Sequence, residues 1–487
     1  MNQFFLLFGA LITMVSCGNG EGATQSNSTP QETIKAEKTT QETEEVQTVS
    51  YLENGITAKN NGEKRGKVHI SGTIAQAKAG QQVILYETRG KNHYPIDSVK
   101  SVNGVFDFKA QELTSGFYMI GLISDLNMMA VIVNPDEKDI ELKFNSGKLE
   151  NAPEAVSSEE NEGWFAYFKE EKTLNSAISN LRKSRGKSSF KERIDGQIAE
   201  KEKELLTRQQ FYIDSYPDTY LAKYLSWKGG ADKSDIGKYW KDVDFSDRSL
   251  IRANAIPDRI QDYMRTFGGH DGGKFFNAVD VLKEEAAKGE DPDVLEFVLY
   301  TMADGFYQSG MEDLTFYIID NHILGEDCGM DPSEMLEAFI KNVNDLQMGN
   351  VPPNIAITDV DGKPLVLHNE VKKNEYTLVM FWASWCHKCE QEMPVLNQFY
   401  PIYNPKGFEV VAVSVDQTAP AWKGAIESKQ VPGRNVSQLL GWKSPVAQDY
   451  KVTSTPALFL LDKEGKIVLK PKRMFEVGKF LQQNLPG

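Results

Sequence analysis

In the stretch FWASWCHKCEQEMP, residues 381–394, Cys386 and Cys389 are separated only by His387 and Lys388. A cysteine pair at this spacing can form a reversible disulfide, supply half of a zinc site, or pack as two inert thiols. Structural zinc needs four ligands, usually from a second Cys or His pair at similar spacing. No such pair is present, and of six scattered histidines only His387 lies nearby. The redox use has a physical basis. TLVMFW before the pair reads as a buried strand and CEQEMPVLNQFYPIY after it as a helix. That places Cys386 at a helix N-terminus, where free N–H groups and the positive end of the dipole stabilise a thiolate. His387 and Lys388 add cationic character to the same turn.

The elements that would position the pair fall within residues 346–487. IAITDVDGKPLVLHNEV alternates across Asp361-Gly362 as a hairpin. FEVVAVSV reads as a strand, PAWKGAIESK as a helix, PALFLLD and KIVLK as strands joined by KEG, and FEVGKFLQQNL as a last helix. This order predicts an α/β unit whose mixed sheet is covered on both faces.

FWASWCHKCEQEMP together with KVTSTPALFLLDKEG closely resembles the thioredoxin superfamily, in particular its membrane-anchored TlpA/ResA-type branch. The resemblance covers about 135 residues, including the leading hairpin and the helix around Trp422. It implies a thioredoxin fold and a thiol-disulfide oxidoreductase with no bound cofactor or metal. By it, Cys386 is the attacking thiol, Cys389 the resolving one, and Pro456 a cis-proline facing them. Thr455 would hold client backbone with Pro456, and Trp385 matches the aromatic residue before the first cysteine. Glu392 falls where ResA-type proteins carry a functional glutamate. Thioredoxin instead uses an aspartate on the preceding strand, where this chain has Met380. Glu392 is therefore the candidate proton acceptor for Cys389.

The implied partners are client proteins with disulfides and an upstream membrane thiol donor of electrons. Direction is open on the residues alone. His387-Lys388 replaces a frequent proline, cationic character there favours the reduced thiolate, and the superfamily spans about −270 to −120 mV, roughly 7 kcal/mol. The branch implies a reductase, with an oxidase or isomerase as alternative. Two other rivals are a peroxidase, against which Ala383 stands where Thr or Ser is expected, and a non-enzymatic anchored protein that uses the module only for docking.

Upstream, residues 151–345 predict an all-α domain. Trp164, Tyr167, Phe168, Leu174, Ile178 and Leu181 recur at helical spacing, as do Ile194, Ile198, Leu205 and Tyr212, opposite densely charged faces. The plain reading is a spacer or docking surface, with substrate selection as the alternative. Cys328, alone in GEDCGMDPSE among acidic residues, reads as a sluggish bystander thiol.

Residues 65–150 show short apolar alternations, with Asn103-Gly104 as a tight hairpin signal, and predict a small antiparallel β domain. They resemble the β-rich domain ahead of thioredoxin modules in large anchored lipoproteins. Residues 18–64 are too polar to fold and predict a disordered tether with a reach of roughly 35 to 40 Å.

Residues 1–17, MNQFFLLFGALITMVSC, carry an apolar run too short to span a bilayer. Their close resembles a bacterial lipoprotein signal peptide with Cys17 as the lipidated residue. The expected location is the cell envelope, facing the periplasm and anchored to the inner or outer membrane. With 69 acidic residues against 54 basic, the net charge is −15, and no basic stripe favours nucleic acid.

Overall fold

The computed structural model describes residues 63–485 apart from 123–126, 152, 187–189, 270–271 and 326–330. Cys17, the signal segment, nearly all of the expected tether, and Cys328 lie outside the described residues.

The first half opens with eight strands: β1 Arg65–Ile74, β2 Gln82–Arg89, β3 Asn92–Lys100, β4 Val105–Thr114, β5 Gly116–Leu122, β6 Met128–Val133, β7 Asp139–Phe144 and β8 Pro153–Ala155. They form two sheets, ordered β4-β1-β7-β8 and β3-β2-β5-β6. Alternation of apolar and polar residues along β7, DIELKF, buries Ile140, Leu142 and Phe144 and exposes the residues between them. Asn103 and Gly104 both have positive φ, 52° and 81°, and Val102 and Val105 exchange backbone hydrogen bonds of 2.9 Å around them. This is the tight turn expected there, placed where the chain passes from one sheet to the other.

The expectation of an antiparallel β domain needs one correction, because β1 and β7 run parallel, with His69 beside Asp139 and Ile74 beside Phe144. The physical reason is connectivity. β6 ends in the other sheet, so β7 reaches β1 by a crossover, which permits parallel pairing where a tight hairpin does not.

Among the described residues eight α-helices follow: α1 Glu159–Arg185, α2 Lys191–Ser215, α3 Tyr220–Lys228, α4 Ala255–Phe267, α5 Gly272–Ala287, α6 Pro292–Gln308, α7 Glu312–Ile318 and α8 Glu334–Asp345. Sheets and helices bury their apolar faces in one continuous core that runs from Val68 to Val343. The start of α1 makes the join. Ser158 caps the helix by accepting the Asn161 N–H. The Asn161 amide accepts the Ile132 N–H at 2.8 Å and donates to the Ile132 carbonyl at 2.7 Å, completing the ladder of β6. The Trp164 indole donates to the Ala130 carbonyl at 2.8 Å and meets Phe117 of β5 edge-on at 4.9 Å.

Between these two sits the buried carboxylate of Glu160. It accepts the backbone N–H groups of Tyr220 and Leu221, at 2.7 and 3.0 Å, at the head of α3. It also accepts the Asn134 amide at 3.1 Å, while burial pushes its carboxyl above the usual range.

A second core runs from Leu346 to Leu481. A hairpin of β9 Ala356–Thr358 and β10 Pro364–Val366 turns at Asp361-Gly362, as expected, and leads through the short helix α9 Leu367–Glu370 into β11 Tyr376–Trp382. Then come α10 His387–Tyr403, β12 Phe408–Ser414, α11 Ala419–Lys429, β13 Arg434–Ser437, α12 Pro445–Asp449, β14 Ala457–Asp462, β15 Ile467–Leu469 and α13 Met474–Asn484. The sheet order is β13-β12-β11-β14-β15, with β11, β12 and β13 parallel and β14 antiparallel to β11. The central strand β11 is apolar almost throughout because both of its faces are covered.

Candidate redox site

The site lies where β11 gives way to α10. After Trp382 the chain makes a tight turn in which the Cys386 N–H donates to the Ala383 carbonyl at 3.2 Å. Cys386 is the N-cap of the 17-residue helix α10, and its sulfur accepts the Cys389 N–H at 3.1 Å. A sulfur in that position takes up one of the free donors of the helix end and sits at the positive pole of the dipole. Cys389 is one turn on, facing the sheet with Met393, Leu396 and Phe399. The two cysteines are joined as a disulfide with Cα atoms 5.3 Å apart. Both residues are buried, Cys386 with 5% of its surface exposed and Cys389 with 1%.

His387 does not stand unopposed in the first turn of α10. The His387 ring faces solvent, with Nδ1 3.5 Å from Glu390. Lys429 also bonds Glu390, at 2.7 Å, and holds its carboxyl below the usual carboxylate range, with His387 adding to the effect. An acidic group therefore shares the first turn of α10 with the sulfur.

Thr455 and Pro456 are joined by a cis peptide bond just ahead of β14. The register of β14 with β11 ends where Ala457 pairs with Phe381, so Pro456 adjoins the end of the strand pair from which β11 leads on to the cysteines. The run that leads to them is backed by the helical region. The Lys451 ammonium lies 4.7 Å from the ring of Phe339 in α8. Lys470 pairs with Glu312 of α7 and lies over the ring of Tyr307. A cavity of ≈ 170 Å³ opens among Tyr307, Glu312, Lys451, Ser454 and Lys470.

Glu392 is not a free surface carboxylate. One oxygen accepts from the Arg473 guanidinium at 3.1 Å and the other from the Met474 N–H at 2.7 Å, so it caps α13. Its side chain is largely shielded from solvent. Met380 is buried on β11, and Trp385 is exposed beside Trp442, their rings 6.0 Å apart and near perpendicular. Among the described residues no three His, Cys, Asp or Glu side chains converge on a point that could hold a metal ion.

Sequence reasoning missed Asp416, which ends the strand segment SVD and is 1% exposed. Its carboxylate accepts the Ser384 N–H at 3.0 Å, the Ser384 hydroxyl at 2.6 Å and the Ser414 hydroxyl at 2.7 Å. It thereby pins the turn two residues ahead of Cys386 to the end of β12. The available signal was an ionisable residue at the end of a buried strand, which needs partners to be tolerated there.

With this geometry in view, comparison with known proteins is direct. A family model described as Thioredoxin-like matches residues 374–467, and one described as Domain of unknown function (DUF4369) matches residues 68–164, running from β1 into α1. Thiol-disulfide oxidoreductase ResA of Bacillus cereus is 33% identical over 151 residues, covering 29% of this chain and 80% of that protein. The protein of the same name from Bacillus anthracis is 34% identical over 142 residues, 28% of this chain and 75% of that one. Among solved structures, the thioredoxin domain of a thiol-disulfide oxidoreductase from Bacteroides vulgatus is 31% identical with a TM-score of 0.27, covering 29% of this chain and 99% of its own. In its C-terminal third, where Cys386 heads α10 beside the strand pair β11 and β14, the chain belongs to the ResA family and is a thiol-disulfide oxidoreductase.

Proposed function

We propose that the chain reduces disulfides of client proteins on the periplasmic side of the cell envelope, held to the inner or outer membrane by lipid on Cys17 and a tether of residues 18–64. The observation that carries the thiol-exchange chemistry is Cys386 at the N-cap of α10, bonded by the Cys389 N–H. In the reduced enzyme the Cys386 thiolate attacks one client sulfur, forming a mixed disulfide and expelling the other client sulfur as a thiolate. Cys389, its proton passed to Glu392, then attacks the Cys386 sulfur and releases the second client thiolate. The client gains an electron pair, the enzyme becomes the disulfide, and an upstream membrane dithiol restores it.

Thr455 and Pro456 hold the client backbone beside the pair, and Trp385, exposed next to Cys386 in the chain, contacts the client. Insulin reduction by the full chain with a dithiol donor tests the reading. Wild type should be active and Cys386→Ser reduced to background, and equal activity would leave only a docking role. For the proton transfer, Glu392→Gln should flatten the pH dependence of Cys389 alkylation; an unchanged profile removes Glu392 from the mechanism.

Charge supports the reductive direction. Asp416 is a buried carboxylate with no basic partner among the described residues, held through Ser384 close to Cys386. A nearby anion disfavours the thiolate and so favours the disulfide, making the pair more reducing. Asp416→Asn should therefore raise the reduction potential by about 30 mV, a tenfold change in the exchange equilibrium. Equilibration with glutathione buffers measures it, and an unchanged or lower potential would refute the assignment. Location is tested separately, since Cys17→Ala should move the chain from the membrane fraction to the soluble one.

A further inference from the structure

The segment between β13 and α12 has no part in the chemistry above, yet several hydrogen bonds fix it near the site. Leu439 takes a left-handed conformation, φ 57°, uncommon for a residue with a branched side chain, and its side chain packs on the core of the redox module. Its N–H donates to the Ser437 hydroxyl at 3.1 Å, and Ser437 donates in turn to the Ser414 carbonyl at 3.0 Å. The Gln438 side-chain oxygen accepts the Ser444 hydroxyl at 2.5 Å and the Val446 N–H at 3.3 Å, tying both ends of the loop together. Gly441, with φ 59°, lies so near Gln417 that a Cβ would sit 2.9 Å from its amide nitrogen.

Beside the exposed Lys443, what this framework presents is apolar. Leu440 is 49% exposed and Trp442 38%, and the Trp442 ring stacks edge-on against Trp385, itself 59% exposed and adjacent to Cys386. A strained, hydrogen-bonded loop that holds large apolar side chains in water is a pattern found at binding sites, because nothing in the folded chain itself gains from their exposure.

We propose that Leu440 and Trp442 form a client-docking platform that selects polypeptide segments with large apolar side chains next to the disulfide to be reduced. The occupant is a client segment because the platform is continuous, through Trp385, with the sulfur that the client disulfide must reach. Rigid aromatic rings lose little conformational freedom on binding, so such a platform gains affinity mainly from covered area. The inference rests on the reductase reading and deepens it by naming the client class.

The test compares two peptides, each bearing a cysteine in mixed disulfide with glutathione. One carries Leu and Phe beside the cysteine, and the other carries Ser and Asp. The full wild-type chain should reduce the apolar peptide with kcat/KM roughly tenfold above the polar one, about 1.4 kcal/mol. Trp442→Ala should bring that ratio near one, and Trp442→Phe should restore most of it. Ile402→Ala, which removes an apolar side chain 55% exposed near the far end of α10, should keep the wild-type ratio.

A wild-type ratio near one, or a ratio untouched by Trp442→Ala, would overturn the platform while leaving the reductase standing. Failure of wild type to reduce either peptide in a Cys386-dependent manner would overturn both. If Trp442→Ala instead turned a dimer into a monomer in sedimentation with no change in the ratio, the platform would be a contact between copies and the client assignment would be lost.

Discussion

Cys389→Ala is expected to accumulate covalent adducts between Cys386 and client proteins, visible as high-mass bands that vanish on addition of dithiothreitol. The effect should be large because the described residues hold no third cysteine to substitute for the resolving sulfur. Cys389 lies one helical turn below Cys386 at a Cα separation of 5.3 Å, and the only other cysteines, Cys17 and Cys328, lie far off in sequence. Cys386 remains the N-cap of α10 in this variant, so it keeps the dipole that favours its thiolate, and the first exchange proceeds. Release then depends on thiols from outside, and turnover of insulin should fall to background. The double variant with Cys386→Ser should form no adducts. Adducts that persist in the double variant, or none in the single one, would overturn the assignment of attacking and resolving sulfurs.

Trp164→Ala should lower stability by about 4 kcal/mol, within the range of 3–5 kcal/mol found when large buried aromatic residues are truncated. The indole is buried, meets Phe117 at 4.9 Å and Tyr224 at 5.9 Å edge-on, and donates to the Ala130 carbonyl. Alanine would leave a cavity between β5, β6 and α3 and orphan an acceptor in it. Thermal unfolding of the full chain should show a transition lowered by roughly ten degrees. Because sheets and helices share that core, strand and helix signals in this region should shift together. A loss below about 1 kcal/mol, or unfolding of the strands alone, would show that the join at α1 contributes little.

The redox site was legible where its determinants are local. A continuous apolar run followed at once by C-x-x-C and a helical pattern identifies β11, the N-cap and α10, since burial on two faces and the helix dipole both act over a few residues. Asn103-Gly104 was legible for the same reason, a turn decided by the conformational freedom of two adjacent residues. What stayed hidden is pairing at a distance. Asp416 reaches Ser384 across 32 positions, only because β11 and β12 lie side by side in parallel. Glu392 meets Arg473 across 81 positions, and a glutamate three residues past a cysteine reads the same whether it is free or caps another helix. The parallel match of β1 with β7 and the merging of strands with helices were hidden likewise, because an apolar face declares that it will be covered but not by what.

The core that β1–β8 share with α1–α8 also dictates a schedule for biosynthesis. As the nascent chain emerges, residues 65–155 can pair into sheets, but the face that Trp164, Tyr220 and Tyr224 cover stays bare until those helices have been made. The growing chain is thus sticky and half-built until α1 and α3 have been made, and the C-terminal third, with its separate core, emerges and folds last.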